Sequence, residues 1–379
     1  MLAFGVEEEY FITDLHTRQM LAEPTAAVLA ACRGAIGDGF NHEMFQGQIE
    51  AASPVFHSST EAAVHLQTVR CNLAQALADF GLSVLCAGSH PLADWREQRP
   101  TEQVHFRQLF EQVQYVARRS VLCGLHVHVE VPTGIDRIAV MNEVSPWLPL
   151  LLLLSCSSPF WNGAPTGFMS YRQAACDEWP RMGVPEHFAD WQAYQRYLAL
   201  LQRMGAIDAD GNGWWGIRPS ARYPTLELRM TDACPRLEDG LALATFFRVM
   251  VSYACAMQRP GAGFTPEARW LLKENRWQAK RFGAAGTFAL DASGTLGNAQ
   301  QWLQRARQTF ADTADATGER PLFDILHTLL LRGNSAVEQL RWYADARAAG
   351  ADALGGLCRV VDGLLAQSRG DHLSVAAAG

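Results

Sequence analysis

Lysine is nearly missing from this chain. Of its 32 basic residues only Lys273 and Lys280 are lysines; the rest are arginines. Arginine carries a planar fork suited to carboxylate and phosphate, although a GC-rich coding bias leaves the same mark. An excess of positive charge is missing too, and a net charge of −7 removes the basic footprint expected of a nucleic-acid binder. The nine cysteines form no CxxC pair, and their odd number fits reduced thiols rather than a disulfide framework. Cys123 therefore reads as a packing thiol and not a nucleophile. No basic stretch followed by an apolar run opens the chain, so no signal peptide is expected. Leu148 to Leu154 is strongly apolar, but Pro146, Pro149 and Pro159 bracket a segment too short to cross a bilayer. A cytoplasmic, soluble protein without a membrane partner is expected. Neither lysine follows a glycine-rich loop, so a Walker A phosphate cradle is absent.

What remains is an ordinary globular composition, 49% hydrophobic and 19% charged. The 379 residues suffice for one large domain or two ordinary ones. No internal repeat or long linker divides them. The expectation is one catalytic domain over 1–379, with a sheet-containing core in 1–260 and a mainly helical part in 261–379. An Ala-rich helix is expected from Pro24 to Cys32. The clearest amphipathic helix is Ser59–Phe80, capped by Ser59 or Thr60, with Val64, Leu66, Val69, Leu73, Leu77 and Phe80 as its apolar stripe. Further helices are expected over Phe106–Ser120 and Ile135–Leu154. From Arg236 the chain reads as helical almost throughout, with a loose, small-residue break from Gly283 to Gly297.

Four strands share an unusual pattern. In Phe4-Gly5-Val6-Glu7-Glu8-Glu9-Tyr10-Phe11 the alternation of a strand puts Glu7 and Glu9 on one face. Phe4, Val6, Glu8 and Tyr10 take the other. Two carboxylates about 7 Å apart on one face repel unless cations lie between them. Gln46–Ser53 places Glu50 on a face with Gln46 and Gln48, and Glu43 stands just before it. Gly124–Pro132 alternates strictly: His126, His128 and Glu130 oppose Leu125, Val127, Val129 and Val131. Thr225–Thr231 sets Glu227 and Arg229 against Leu226, Leu228 and Met230. One such face is usually just solvated. Four together, carrying two imidazoles and an arginine, read as one antiparallel sheet with a catalytic surface and helices on its other side. Its oxygen-rich donors suit Mg²⁺ or Mn²⁺ better than Zn²⁺.

Weaker signals do not survive. Gly211-Asn212-Gly213-Trp214-Trp215-Gly216 matches GxGxxG, but two tryptophans stand where backbone must approach a pyrophosphate. Asp208-Ala209-Asp210-Gly211 begins like a calcium loop, yet its twelfth position is Pro219. Arg172, after a Pro/Gly-rich loop, suits either a phosphate or the surface.

Gly-Val-Glu-Glu-Glu-Tyr (5–10), Gly-Leu-His-Val-His-Val-Glu (124–130) and Arg-Tyr-Pro-Thr-Leu-Glu-Leu-Arg (222–229) together resemble the YbdK-type carboxylate-amine ligases, the second glutamate–cysteine ligase family. Ser158-Pro159-Phe160-Trp161 and Glu274-Asn275-Arg276-Trp277 extend the resemblance over most of the chain. It implies an α+β, glutamine-synthetase-like fold: a curved antiparallel sheet forms a funnel, with helices outside, ATP at one end and amino acid at the other. It implies metal ligands at Glu7, Glu9, Glu43, Glu50, His126 and Glu227. It implies catalytic roles for Arg229, Glu227 and Arg172, and nucleotide contacts from Arg172, Arg229 and Arg218. Asn275 and Arg276 are family-like without an assigned role. The implied reaction consumes ATP with Mg²⁺ to join a carboxylate, that of glutamate, to an amine, that of cysteine. A homodimer is the default assembly. Two other classes stay open: a metal hydrolase using His126, His128 and Glu130, and a non-catalytic nucleotide or amino-acid sensor.

Overall fold

The computed structural model describes residues 1–207, 213–257 and 264–369. In chain order the strands are β1 (Phe4–Asp14), β2 (Phe40–His42), β3 (Gln48–Ala52), β4 (Leu82–Leu85), β5 (Leu125–Glu130), β6 (Phe160–Trp161) and β7 (Ala164–Pro165). They continue with β8 (Met182–Gly183), β9 (Trp214–Trp215), β10 (Ile217–Pro219), β11 (Thr225–Leu228), β12 (Phe288–Ala289) and β13 (Leu296–Gly297). Seven of them build one sheet in the order β10-β11-β5-β1-β3-β2, with β4 also beside β1. Every pairing in this sheet is antiparallel. The other six form three two-stranded ribbons.

β1 is the sheet's axis. Its residues 7–11 pair with β3, while residues 4–8 pair with β5 and 11–14 with β4. Because Phe11 meets Gln48 and Leu85 at once, β4 prolongs the edge that β5 begins. The register aligns side chains by type: Glu7 lies opposite His126, Gly5 opposite His128, Glu9 opposite Glu50 and His128 opposite Glu227. A slip of one residue would turn every carboxylate into the core.

The other face supplies that core. Val6, Leu125, Val127, Val129, Leu226 and Leu228 are all buried there, each contributing roughly 1.5–3 kcal/mol by leaving water. Helix Leu237–Ala256 packs against β5 and helix Ser59–Ala78 against β4. Arg137–Ser155 and Leu237–Ala256 match a membrane span in length and hydropathy, but 78% and 72% of them are buried within the fold.

Several elements depart from expectation for local reasons. Ser58, not Ser59 or Thr60, caps the Ser59–Ala78 helix by accepting from the Glu61 N–H. Leu66, Val69, Leu73 and Leu77 face inward as expected; Val64 and Phe80 are exposed, and Ala62 and Arg70 complete the buried stripe. The Phe106–Ser120 helix is two pieces, Val104–Val113 and Tyr115–Arg118, because Gln114 takes a positive φ of 56°. Ile135–Leu154 is likewise split into Arg137–Val144, a 3₁₀ turn Ser145–Trp147 and Leu148–Ser155. Pro146 and Pro149 cannot donate the hydrogen bonds a continuous helix needs. The Gly283–Gly297 break is not loose. It holds the β12–β13 ribbon, tied to Asn275 by a hydrogen bond in each direction with Ala289.

Candidate active site

The polar face of the sheet gathers the acidic and imidazole side chains of four strands and one loop. Glu7 sits at its centre. Its Oε2 is 3.3 Å from His126 Nδ1 and its Oε1 is 3.2 Å from His128 Nε2. His126 Nε2 reaches within 3.5 Å of Glu9 Oε1, and His128 Nε2 within 3.9 Å of Glu227 Oε2. Three overlapping sets result, each with its donor atoms within 4.8 Å of one another: Glu7–His128–Glu227, Glu7–Glu50–His126 and Glu9–Glu43–Glu50. Glu7 and Glu50 are shared, so the sets form one continuous band.

Backbone and neighbours hold these donors in place. Glu9 Oε2 accepts the Gly124 N–H at 2.6 Å, and Glu50 Oε1 accepts from Asn41 at 3.0 Å. Glu43 lies in the loop between β2 and β3 and accepts the Met44 N–H. His128 Nδ1 is bonded to Thr225 Oγ1 at 3.0 Å, which directs Nε2 towards Glu7 and Glu227. Nε2 of both His126 and His128 is buried without an aligned hydrogen-bond partner among the described residues. That is the state expected of imidazoles whose lone pairs serve a cation.

The charges cannot all be expressed at once. Burial first, then the Glu9 carboxylate, pushes Glu43 up to about 8. Burial and the charge of Glu7 raise Glu50 well above the carboxylate range. Burial also opposes ionisation of Glu7, but hydrogen bonds and charge from His126 and His128 outweigh it and hold Glu7 far below its usual value. Glu227 settles at about 2: burial works against its charge, and the Arg229 and Arg218 guanidiniums overcome it.

The three arginines divide into two kinds. Arg218 grips Glu227 with Nε at 2.8 Å from Oε2 and Nη2 at 3.2 Å from Oε1, and Arg229 Nη1 bonds Glu227 Oε1. β11 ends at Leu228, so Arg229 lies just past the strand, which was expected to run to Thr231; its N–H bonds Gly216 O. Arg172 is turned differently from the open contact expected of it. Its guanidinium donates to the Thr231 and Arg229 carbonyls and braces the segment carrying Arg229. Gly124 makes room for it: a Cβ there would lie 2.3 Å from Arg172 Nη2 and 2.8 Å from His126 Nε2.

Glu130 lines the cavity at one end of this surface but joins none of the three sets; its carboxylate accepts the Ala3 N–H at 3.0 Å. Arg276 and Asn275 lie away from the band: Arg276 bonds Asp177 and Gln173. His128 belongs in the band although the expected ligand set stopped at His126; the strict alternation of β5 was the available signal. Cys123 is buried and its thiol is pushed up by burial, as a packing residue should be. Of the glycine-rich turn, residues 208–212 lie outside the described residues, and Trp214 and Trp215 form β9. One mouth of the band opens into a cavity of about 460 Å³ lined by Phe4, Val6, Pro54, Val55, Tyr223 and His128.

The same fold is found in a glutamate–cysteine ligase from Francisella tularensis solved with AMP. It is 12% identical, with a TM-score of 0.69 over 100% of this chain and 90% of that one. Sequence relatives are far nearer. A protein of Pseudomonas fluorescens named "Putative glutamate--cysteine ligase 2" is 57% identical over 365 residues, covering 96% of this chain and 94% of its own. One of the same name from Ectopseudomonas mendocina is 48% identical over 365 residues, 96% of each chain. The model of glutamate-cysteine ligase family 2 matches residues 3–362, and with relatives of this identity and coverage the chain belongs to that family.

Proposed function

We propose that this ligase uses ATP to phosphorylate a carboxylate and then passes the acyl group to an amine, with glutamate and cysteine as its substrates. The observation that carries the reading is the band of overlapping sets from Glu43 to Glu227, rich in carboxylates and ending against two arginines. Each set holds at most one imidazole, a donor chemistry suited to Mg²⁺ or Mn²⁺ and poorly suited to the nitrogen-rich zinc sites of many hydrolases. Glu7, Glu9, Glu43, Glu50, His126, His128 and Glu227 would hold such ions. The bound ions would neutralise charge on the phosphates.

In the reaction a carboxylate oxygen of the acid attacks the γ-phosphorus of ATP, forming an acyl phosphate and releasing ADP. The amine nitrogen then attacks the acyl carbon, phosphate departs with the C–O bonding pair, and the amine loses a proton. Phosphoryl transfer rests mainly on positioning and charge. Arg229 and Arg218, held against Glu227 beside the Glu7–His128–Glu227 set, would stabilise negative charge on the transferring group, and Arg172 would keep the Arg229 backbone in register. The cavity beside Phe4, Pro54 and Tyr223 has the apolar walls an adenine ring requires, next to the Glu7–His128–Glu227 set. That arrangement supports nucleotide at this end and amino acid near Glu9, Glu43 and Glu50.

The test is ADP release by the purified protein with Mg²⁺, comparing glutamate plus cysteine with other acid and amine pairs. Release that needs both glutamate and cysteine is expected. Release with another pair would keep the chemistry and replace the substrates; no turnover with any pair would overturn the reading.

A further inference from the structure

The two lysines of this chain meet in one place. Arg269, Lys273, Arg276 and Lys280 stand at i, i+4, i+7 and i+11 of helix Pro266–Phe282, a row along one helix face. Like charges at these spacings destabilise a helix. All four line a single cavity of about 470 Å³, joined by Arg181. Among the described residues only Asp177 and Glu186 bring negative charge to it. Asp177 is already bound to Arg276 and Lys280, and Glu186 to Arg269 at 2.9 Å.

That leaves cationic donors unspent. Lys273 is exposed and has no ion-pair partner among the described residues. Arg181 gives one N–H to the Ala206 carbonyl, but its Nε is buried without a partner among the described residues. Arg276 is 6% exposed, and its Nε likewise has no partner among the described residues. A buried guanidinium N–H without an acceptor is costly. Burial, then the charge of Arg276, also draws Lys280 below the usual lysine range. Among the described residues, a protein of net charge −7 has gathered five cations against two carboxylates around one cavity.

We infer that this cavity is a second anion site, separate from the metal-binding band, which takes a small multivalent phosphate such as orthophosphate or diphosphate. Such an ion offers several acceptor oxygens to Arg181, Lys273 and Arg276 and relieves the repulsion along the helix. None of the residues proposed to hold metal or ATP lines it, so the inference does not depend on the ligase reading. One physical link joins the two places: Arg276 bonds the backbone and side chain of Gln173, the neighbour of Arg172.

The experiment is calorimetric titration of the whole chain, without nucleotide or added metal, using orthophosphate and then diphosphate at constant ionic strength set with chloride. Saturable binding is expected, weakened at least about tenfold in Lys273→Gln and in Lys273→Gln/Arg181→Gln, and unchanged in Arg218→Gln. Lys273 is exposed, so its single variant tests the site without threatening the fold. Absence of saturable binding would overturn the inference. So would binding that survives Lys273→Gln or is lost in Arg218→Gln, since the anion would then sit on the metal-binding band.

Discussion

Glu227 is the residue on which the charges of the band converge: two guanidiniums grip it and His128 faces it. Glu227→Gln or Arg229→Ala is expected to lower turnover by at least about 100-fold, as loss of an electrostatic stabiliser does, while circular dichroism and melting stay near wild type. Near-normal turnover in either pure variant removes that residue from the chemistry. Glu43 allows a pH prediction. With its carboxyl raised to about 8 it is largely protonated at neutral pH, and a ligand must lose that proton to bind a cation. Mg²⁺ affinity should therefore fall as pH drops through 8, by up to about tenfold per pH unit for the released proton, and Glu43→Gln should flatten that slope. Titrations at pH 6.5, 7.5 and 8.5 decide it; equal slopes in both proteins would exclude Glu43. The strand alternation alone exposed Glu7, Glu9, Glu50, His126 and Glu227. It could not reveal Arg172's bonds to backbone carbonyls or the double grip on Glu227, because both depend on contacts between segments distant in sequence.

At the scale of elements, β1 works on both faces. Between the two outward carboxylates, Glu8 points into the core, where Arg70 meets it with Nη2 at 2.5 Å and Nε at 3.1 Å. Tyr10 also donates to Glu8. Arg70 reaches on to the Cys234 and Pro235 carbonyls, so the strand, helix Ser59–Ala78 and the turn after β11 share one fully buried cation. The alternation of β1 was enough to place Glu8 inward. Nothing in the sequence named Arg70 as its partner, since an arginine inside an otherwise apolar stripe looks like an interruption until the helix docks. Removing one member of a buried pair strands the other, at a cost of about 3–5 kcal/mol. Arg70→Met should lose that much in chemical denaturation, and Glu8→Gln/Arg70→Met should recover part of it. If the single variant loses less than about 1 kcal/mol, the pair does not anchor β1. The short strands β2 and β10 escaped the sequence for a simpler reason: three residues are too few to display a period of two.

For the whole molecule, a histidine outside the band is expected to set part of the acid limit of stability. His90 is fully buried in the core, edge-on to Phe11. Its Nδ1 accepts the Leu92 N–H at 3.2 Å, so the ring proton sits on Nε2, which is enclosed without an acceptor. A second proton would have to displace that bond and charge a ring that no carboxylate among the described residues reaches. Burial accordingly pulls its pKa down to about 3. The unfolded chain takes up this proton near pH 6.5. Between pH 6.5 and 3 it therefore binds one proton more than the folded chain, and stability falls as pH falls, by up to about 1.4 kcal/mol per unit. Lowering pH from 7 to 5 should cost about 2 kcal/mol through this residue alone. The paired carboxylates titrate alike in wild type and His90→Gln, so comparing their denaturation midpoints at the two pH values isolates the imidazole. The variant should lose about 2 kcal/mol less between them. An equal loss would mean that His90 gains its proton inside the folded protein, and that the core around Phe11 opens to water well above the pH at which the molecule unfolds.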